Sequence, residues 1–288
     1  MKKILITGAN GMLATDFVKC CNNDYAILAY GKNLLDITNI KEVEKVLLET
    51  KPGILINFAA YTNVDDAEDV GMKQNYDVNS LGVFTLSKLT NKYKIDFITI
   101  STDYVFDGEN STGYNEKDLC NPINQYGMSK YLGEKITLNE NLNSIIIRTS
   151  WLYGGGYEFK NFVNTMISLS KIKNELKVVN DQLGLPTYTK DLCFAIKDVL
   201  ENLRSYRGQI LHFSNSGKKG ISWYEFAREI FDFTGVNVNL LPCDTFSFPT
   251  KAVRPKFSLL TNNSNVKLRN RQEGLIDYLN NLKKGNHL

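Results

Sequence analysis

The sequence predicts an α/β protein: a doubly wound parallel sheet followed by a smaller, mixed α/β region. Three observations carry that expectation. Short, nearly continuous apolar runs rich in Ile alternate with amphipathic stretches through the first half. A glycine cluster stands where the first run meets the first amphipathic stretch. After "RTSWLYGGGYE" the rhythm changes and does not return. Runs that are apolar throughout suit strands covered on both faces, as in a parallel sheet with right-handed helical crossovers.

The expected strands, in order, are "KILIT", "YAILAY", "GILINFAA", "DFITIS" and "NSIIIRTS", all read as buried. Between them, "NIKEVEKVLLETK" would put Ile40, Val43, Val46 and Leu47 on one helical face, and "NSLGVFTLSKLTNKY" would do so with Leu81, Phe84 and Leu89. Together these form a Rossmann-type sheet. The glycines Gly154 to Gly156 then open a second region containing "NFVNTMISLSK", "ELKVVND", "DLCFAIKDVLENL", the strand-like "GQILHFSNS" and "SWYEFAREIFDFTG". The expected division is a dinucleotide-binding domain over 1–154 and a mainly substrate-binding domain over 155–288, with segments crossing back.

Composition excludes several function classes. A chain of 288 residues, 43% hydrophobic and 23% charged, can bury a core without staples. Its net charge of +3 comes without a dominant basic run, so no nucleic-acid partner is expected. The C-terminal "NLKKGNHL" reads as a solvated tail. Five cysteines without CxxC spacing suit reduced thiols, and two histidines are too few for a His-based metal site or a Ser-His-Asp triad; no metal is expected. "MKKILITGAN" enters a strand at once, and no apolar run of about 18 residues follows, so a cytoplasmic protein is expected.

"ITGANGMLA" places Gly8, Gly11 and Ala14 in a G-x-x-G-x-x-A pattern between the first strand and first helix. Gly8 serves the tight turn, Gly11 admits a pyrophosphate close to the backbone, and Ala14 allows helix-to-sheet packing. The cofactor's anionic phosphates would meet free N–H groups at the helix start. The second strand ends in Tyr30-Gly31-Lys32 where a ribose-binding carboxylate would stand. That favours NADPH through Lys32, with NADH as the alternative. Asp36 lies further on, as a second ribose candidate or as a helix-capping residue in "DITN".

"NQYGMSKYLGEK" holds Tyr126 with Lys130 and Tyr131 with Lys135. Context selects the first pair. The strand "DFITI" ends in "STDYVFDG", which puts Ser101, Thr102 and Asp103 at a ligand crevice. Tyr126 falls in the first helical turn near it, whereas Tyr131 points about 140° away. An ammonium about 6 Å from a phenol, at an effective dielectric of about 20, would stabilise phenolate by about 2.8 kcal/mol. Tyr126 would then be a general acid acidified by Lys130, and Thr102 would polarise a carbonyl.

Together, "STDYVFDG", "NQYGMSKYLGE", "IIRTSWLYG", "NFAAYTNVDDAE", "NDQLGLPTYTKDL" and "RPKFSLL" resemble the extended short-chain dehydrogenase/reductases. More narrowly, essentially the whole chain resembles the dTDP-4-dehydrorhamnose reductases. The resemblance implies NAD(P)H-dependent reduction of the 4-keto group of a dTDP-6-deoxy-4-keto-hexose, with Thr102, Tyr126 and Lys130 catalytic. Expected cofactor contacts are Gly8, Asn10, Gly11, Met12, Leu13, Lys32, Asp36, Ile37, Ala59, Ala60 and Tyr61, besides Tyr126 and Lys130. Thr62, Thr102, Asp103 and Trp151 would meet the sugar nucleotide. Arg254, placed by chemistry more than by the family, would neutralise diphosphate. Plainer alternatives are a core tryptophan, a local turn aspartate and a surface ion pair. Tyr104 stands where related dehydratases carry a second carboxylate, which argues against water elimination. Asp66 departs from the family, where a lysine is common. A ketoreductase or epimerase on another deoxysugar nucleotide, and a non-catalytic NADP-binding regulatory subunit, are the competing functions; monomer and homodimer both stay open.

Overall fold

The computed structural model describes residues 1–217, 219–285 and 287. Five strands, β1 (Lys3–Thr7), β2 (Ala26–Tyr30), β3 (Ile54–Asn57), β4 (Asp96–Thr102) and β5 (Ile145–Thr149), form a parallel sheet. A sixth strand, Ile210–His212, pairs in parallel with β5. Across the sheet the order runs Ile210–His212, β5, β4, β3, β1, β2. The chain therefore leaves β1 toward β2 and returns to β1's other side through β3. That reversal opens a crevice beyond the carboxyl ends of β1 and β3.

Strand alternation divides the core between two faces. Ile4 and Ile6 pack with helix α1 (Met12–Cys21) and helix Thr189–Glu201. Leu5 and Leu55 pack with α2 (Ile40–Thr50) and a composite helix on the opposite face. The composite runs through α3 (Met72–Tyr76), a π-helical turn Asp77–Gly82 and α4 (Val83–Tyr93). Helix α5 (Gln125–Glu140) lies beside it, closely enough that a Cβ on Gly133 would meet the Asn79 carbonyl at 2.3 Å.

Several expectations are corrected. β2 is an edge strand with no fully buried residue, because among the described residues no strand pairs with its outer side. Ile40 and Leu81 are exposed. The buried stripe of α4 is Val83, Leu86 and Leu89, since the π turn adds a residue and rotates the helix before α4 begins. "GQILHFSNS" belongs to the large sheet, not the smaller region. "NLKK" completes helix Arg271–Lys284 and buries Leu282, so it is no solvated tail; Asn286 and Leu288 lie outside the described residues.

The second region has its own core of Tyr153, Val163, Met166, Phe226, Ile230 and Tyr278 under helices Phe162–Ser170, Trp223–Thr234 and Arg271–Lys284. Among the described residues no helix is long and apolar enough to cross a membrane.

Candidate functional site

A cavity of about 560 Å³ opens at the reversal point of the sheet. Its floor is the β1–α1 turn. Gly8 sits at φ +66°, and a Cβ there would lie 2.5 Å from the Ala59 amide nitrogen, so only glycine lets the two loops touch. Gly11 is the N-cap of α1 and supplies no side chain to the first turn. Met12 and Leu13 follow on the cavity wall, and Ala14 is fully buried against the sheet. An uncapped helix start beneath a close-packed glycine turn fits the pyrophosphate of a dinucleotide.

Asn57 shapes the neighbouring wall. Its Oδ1 accepts from Thr7 Oγ1 at 2.7 Å and from the Ala59 amide at 3.1 Å, while its Nδ2 donates to Thr99 Oγ1 at 3.1 Å. This holds Ala59 and Ala60 on the cavity. Asn79 clamps Tyr61 by its backbone, accepting from the amide at 2.9 Å and donating to the carbonyl at 3.0 Å. Neither asparagine was singled out by the sequence. Asn57 heads the stretch "NFAAYTNVDDAE", but its own part there was not read from it.

The opposite wall carries the expected trio. Asn124 caps α5 by accepting from the Gly127 amide at 2.8 Å, which puts Tyr126 in the first turn. Gly127 is required there: a Cβ would stand 2.1 Å from the Tyr104 carbonyl oxygen. Tyr104 meets Tyr126 edge-on, ring centroids 5.7 Å apart. Thr102 and Lys130 complete the group, and all three line the one cavity.

Two electrostatic expectations are corrected. Lys130 does not acidify Tyr126 here: its Nζ donates to the Ile100 carbonyl at 2.6 Å. Desolvation pushes the Tyr126 phenol up to about 12, against the opposing influence of the Thr102 hydroxyl. Burial also lowers the Lys130 ammonium to about 8, with the Glu134 charge opposing. Thr102, second, spends its single hydrogen on Asp103 Oδ1 at 3.0 Å and accepts from the Tyr104 amide at 3.2 Å. To polarise a carbonyl it must exchange that carboxylate for the ligand. Asp103 is buried and raised to about 6 by desolvation, with the Ser258 and Thr102 hydroxyls opposing.

Trp151 sits on this wall at φ +48° with its indole stacked on Trp223, centroids 3.4 Å and planes 6° apart. Trp223 was missed. The "SWYE" capping box announces its helix but not where the indole points. Trp223, Tyr104 and the exposed Lys160 also border a second cavity of about 520 Å³, reaching Phe162, Met166 and Arg254.

Of the other expected residues, Thr62 borders the first cavity and Arg254 the second. Arg254 forms a paired contact with Asp65, both bonds 2.8 Å, which holds that carboxyl below its usual range. Thr62 lies exposed on the rim of the first cavity. Asn10 packs its amide against Gly31, and Lys32 is exposed beside it. Asp36 accepts from the Thr38 amide and hydroxyl at 2.9 and 2.8 Å, which lowers its pKa, while Asn39 caps α2. The Ile37 side chain is core. Tyr131 packs against a small cluster with Phe106 and Tyr114, with the Lys135 ammonium 5.1 Å from its ring centroid.

With this geometry in view, known proteins give a consistent picture. The family model described as the RmlD substrate binding domain matches residues 1–283. A spore coat polysaccharide biosynthesis protein, SpsK, of Bacillus subtilis is 37% identical over 97% of both chains. A dTDP-4-dehydrorhamnose reductase of Aggregatibacter actinomycetemcomitans is 39% identical over 90% of each. The crystal structure of a dTDP-4-dehydrorhamnose reductase from Bacillus anthracis in complex with NADP superposes with a TM-score of 0.91, at 38% identity, covering 98% of this chain and all of that one.

Proposed function

The chain belongs to the RmlD substrate binding domain family, and on that premise we propose how it works and on what. It is a sugar-nucleotide 4-ketoreductase that uses NADP(H). Its substrate, in our reading, is a dTDP-6-deoxy-4-keto-hexose and its product dTDP-L-rhamnose or a close relative. The observation that carries this is a phenol, an ammonium and a threonine hydroxyl converging on one cavity whose floor fits a dinucleotide.

Reduced nicotinamide, when bound, supplies the hydride. This chain's residues manage the oxygen and its proton. A phenol raised to about 12 stays protonated at neutral pH, the state a proton donor needs; Tyr126 gives that proton to the substrate's carbonyl oxygen. Lys130, buried and cationic, must turn its ammonium from the Ile100 carbonyl to steady the phenolate left behind. Thr102 hydrogen-bonds the same oxygen once a substrate hydroxyl takes over Asp103. The stacked indoles of Trp151 and Trp223 exclude water from one side. Residues 1–154 would hold cofactor, and the second cavity, mainly from residues 155–288, the nucleotide end of the substrate, with Lys160 at the threshold.

Supplying dTDP-4-keto-6-deoxy sugars, with and without prior 3,5-epimerisation, and following NADPH absorbance tests this directly. Many turnovers of oxidation are expected. An epimerase would regenerate its cofactor, and a regulatory subunit would bind NADPH without consuming it. The pH profile is a second check. Lys130 acts as a cation, so kcat/KM should be level below about pH 8 and fall as pH rises through that value. A flat profile to pH 10 or so would remove the ammonium from the mechanism.

A further inference from the structure

We propose that Glu134 is a positioning residue for this reduction: with Ser101 and Arg148 it fastens the helix bearing Tyr126 and Lys130 to the strand ending in Thr102, and keeps Lys130 charged. The inference rests on the reductase reading above.

Glu134 does not border the cavity; it lies behind it. Tyr126, Lys130 and Glu134 succeed one another at four-residue steps along α5, so they follow one side of the helix. Ser101 Oγ donates to Glu134 Oε1 at 2.5 Å, and Arg148 grips both carboxylate oxygens, Nε to Oε1 at 2.8 Å and Nη2 to Oε2 at 2.7 Å. The two charged side chains are 3% and 2% exposed. Ser101 and Arg148 are register partners across β4 and β5, and the next pair is Thr102 with Thr149. One carboxylate thus ties helix and both strands together a single residue before the candidate catalytic threonine.

Arg148 is fixed in turn. Its Nη1 donates to His212 Nε2 at 3.2 Å, and His212 Nδ1 donates to the Tyr114 carbonyl at 3.1 Å. Burial and the guanidinium hold His212 well below its usual range, at about 4, so it is neutral. Arg148 also lies over the Phe106 ring at 5.0 Å and donates to Cys120 Sγ at 3.0 Å. A buried pair of this kind commonly gains little over an apolar pair of the same size. Its placement, directly behind the ammonium, gives it another use.

The charges around Lys130 decide the sign. Glu134 faces it from its own helix, and Tyr126 and Asp103 stand on the cavity side. Behind Glu134 are Arg148, neutral His212 with Glu116 beside it, Cys120 and exposed Lys135. Removing the Glu134 charge leaves Arg148 as an unopposed cation, so the Lys130 pKa falls further.

The test is kcat/KM against pH for wild type, Glu134→Gln and Ser101→Ala, with NADPH affinity measured on each. Glu134→Gln should move the basic limb to lower pH by about one unit and lower kcat roughly tenfold, with NADPH affinity nearly unchanged. Ser101→Ala, which removes one hydrogen bond and no charge, should lower kcat and leave the limb in place. Should Glu134→Gln fail to fold, the paired change Glu134→Leu with Arg148→Met removes both charges at similar volume and should still lower kcat. A merely structural role would reduce the NADPH-binding fraction without moving the limb. Either folded Glu134 variant with parental kcat and an unmoved limb overturns the proposal. A wild type that binds NADPH but reduces no keto sugar would count against the reductase reading instead.

Discussion

Tyr126→Phe is expected to lower kcat by roughly 10²- to 10⁴-fold while NADPH binding stays nearly unchanged. The change removes one oxygen and leaves the ring against Tyr104, so packing survives. No other group beside Thr102 and Lys130 offers a proton in the right place: Asp103 is ionised above about pH 6, and the Tyr104 phenol is held higher than that of Tyr126 by burial beside Asp103. Single-turnover reduction with saturating NADPH, alongside a binding titration, separates the two effects. Turnover within tenfold of wild type would displace Tyr126 as donor.

Arg148→Ala should be the most damaging single change to stability, costing about 3–5 kcal/mol. Truncation strands the Glu134 carboxylate in a site 3% exposed and opens a void beneath Phe106. For a domain of this size the loss corresponds to a fall in Tm on the order of 10 °C. Thermal unfolding of the variant beside the charge-free Glu134→Leu/Arg148→Met pair provides the control. The double variant should recover much of the loss, because the penalty lies in the unpaired charge. Equal destabilisation in both would mean that packing, not charge, sets the cost.

The large sheet was legible because its strands are short apolar runs, a pattern fixed by burial on both faces. What escaped depended on neighbours. β2 has the composition of its sister strands, and only its place in the strand order exposes it. Leu81 was misassigned because a π turn breaks the regular phase that a periodicity argument assumes. At the site, the glycine turn, Thr102, Tyr126 and Lys130 could be picked out from local motifs. The state of the trio could not. The Lys130 hydrogen bond to Ile100 and the commitment of Thr102 to Asp103 arise from depth and approach angle, which spacing does not encode. Arg254 shows the same limit: nothing in the spacing announced that its guanidinium pairs with Asp65 while bordering the second cavity.

The stacked indoles have a practical consequence. Trp151 and Trp223 are the only two tryptophans in the chain; one lies just after β5 and the other opens helix Trp223–Thr234. Intrinsic emission and the near-ultraviolet circular dichroism of indole therefore report on a single spot beside the reaction chamber. Any ligand or motion that parts the two rings announces itself in the indole signal without a label, provided excitation lies beyond the absorption of the 15 tyrosines.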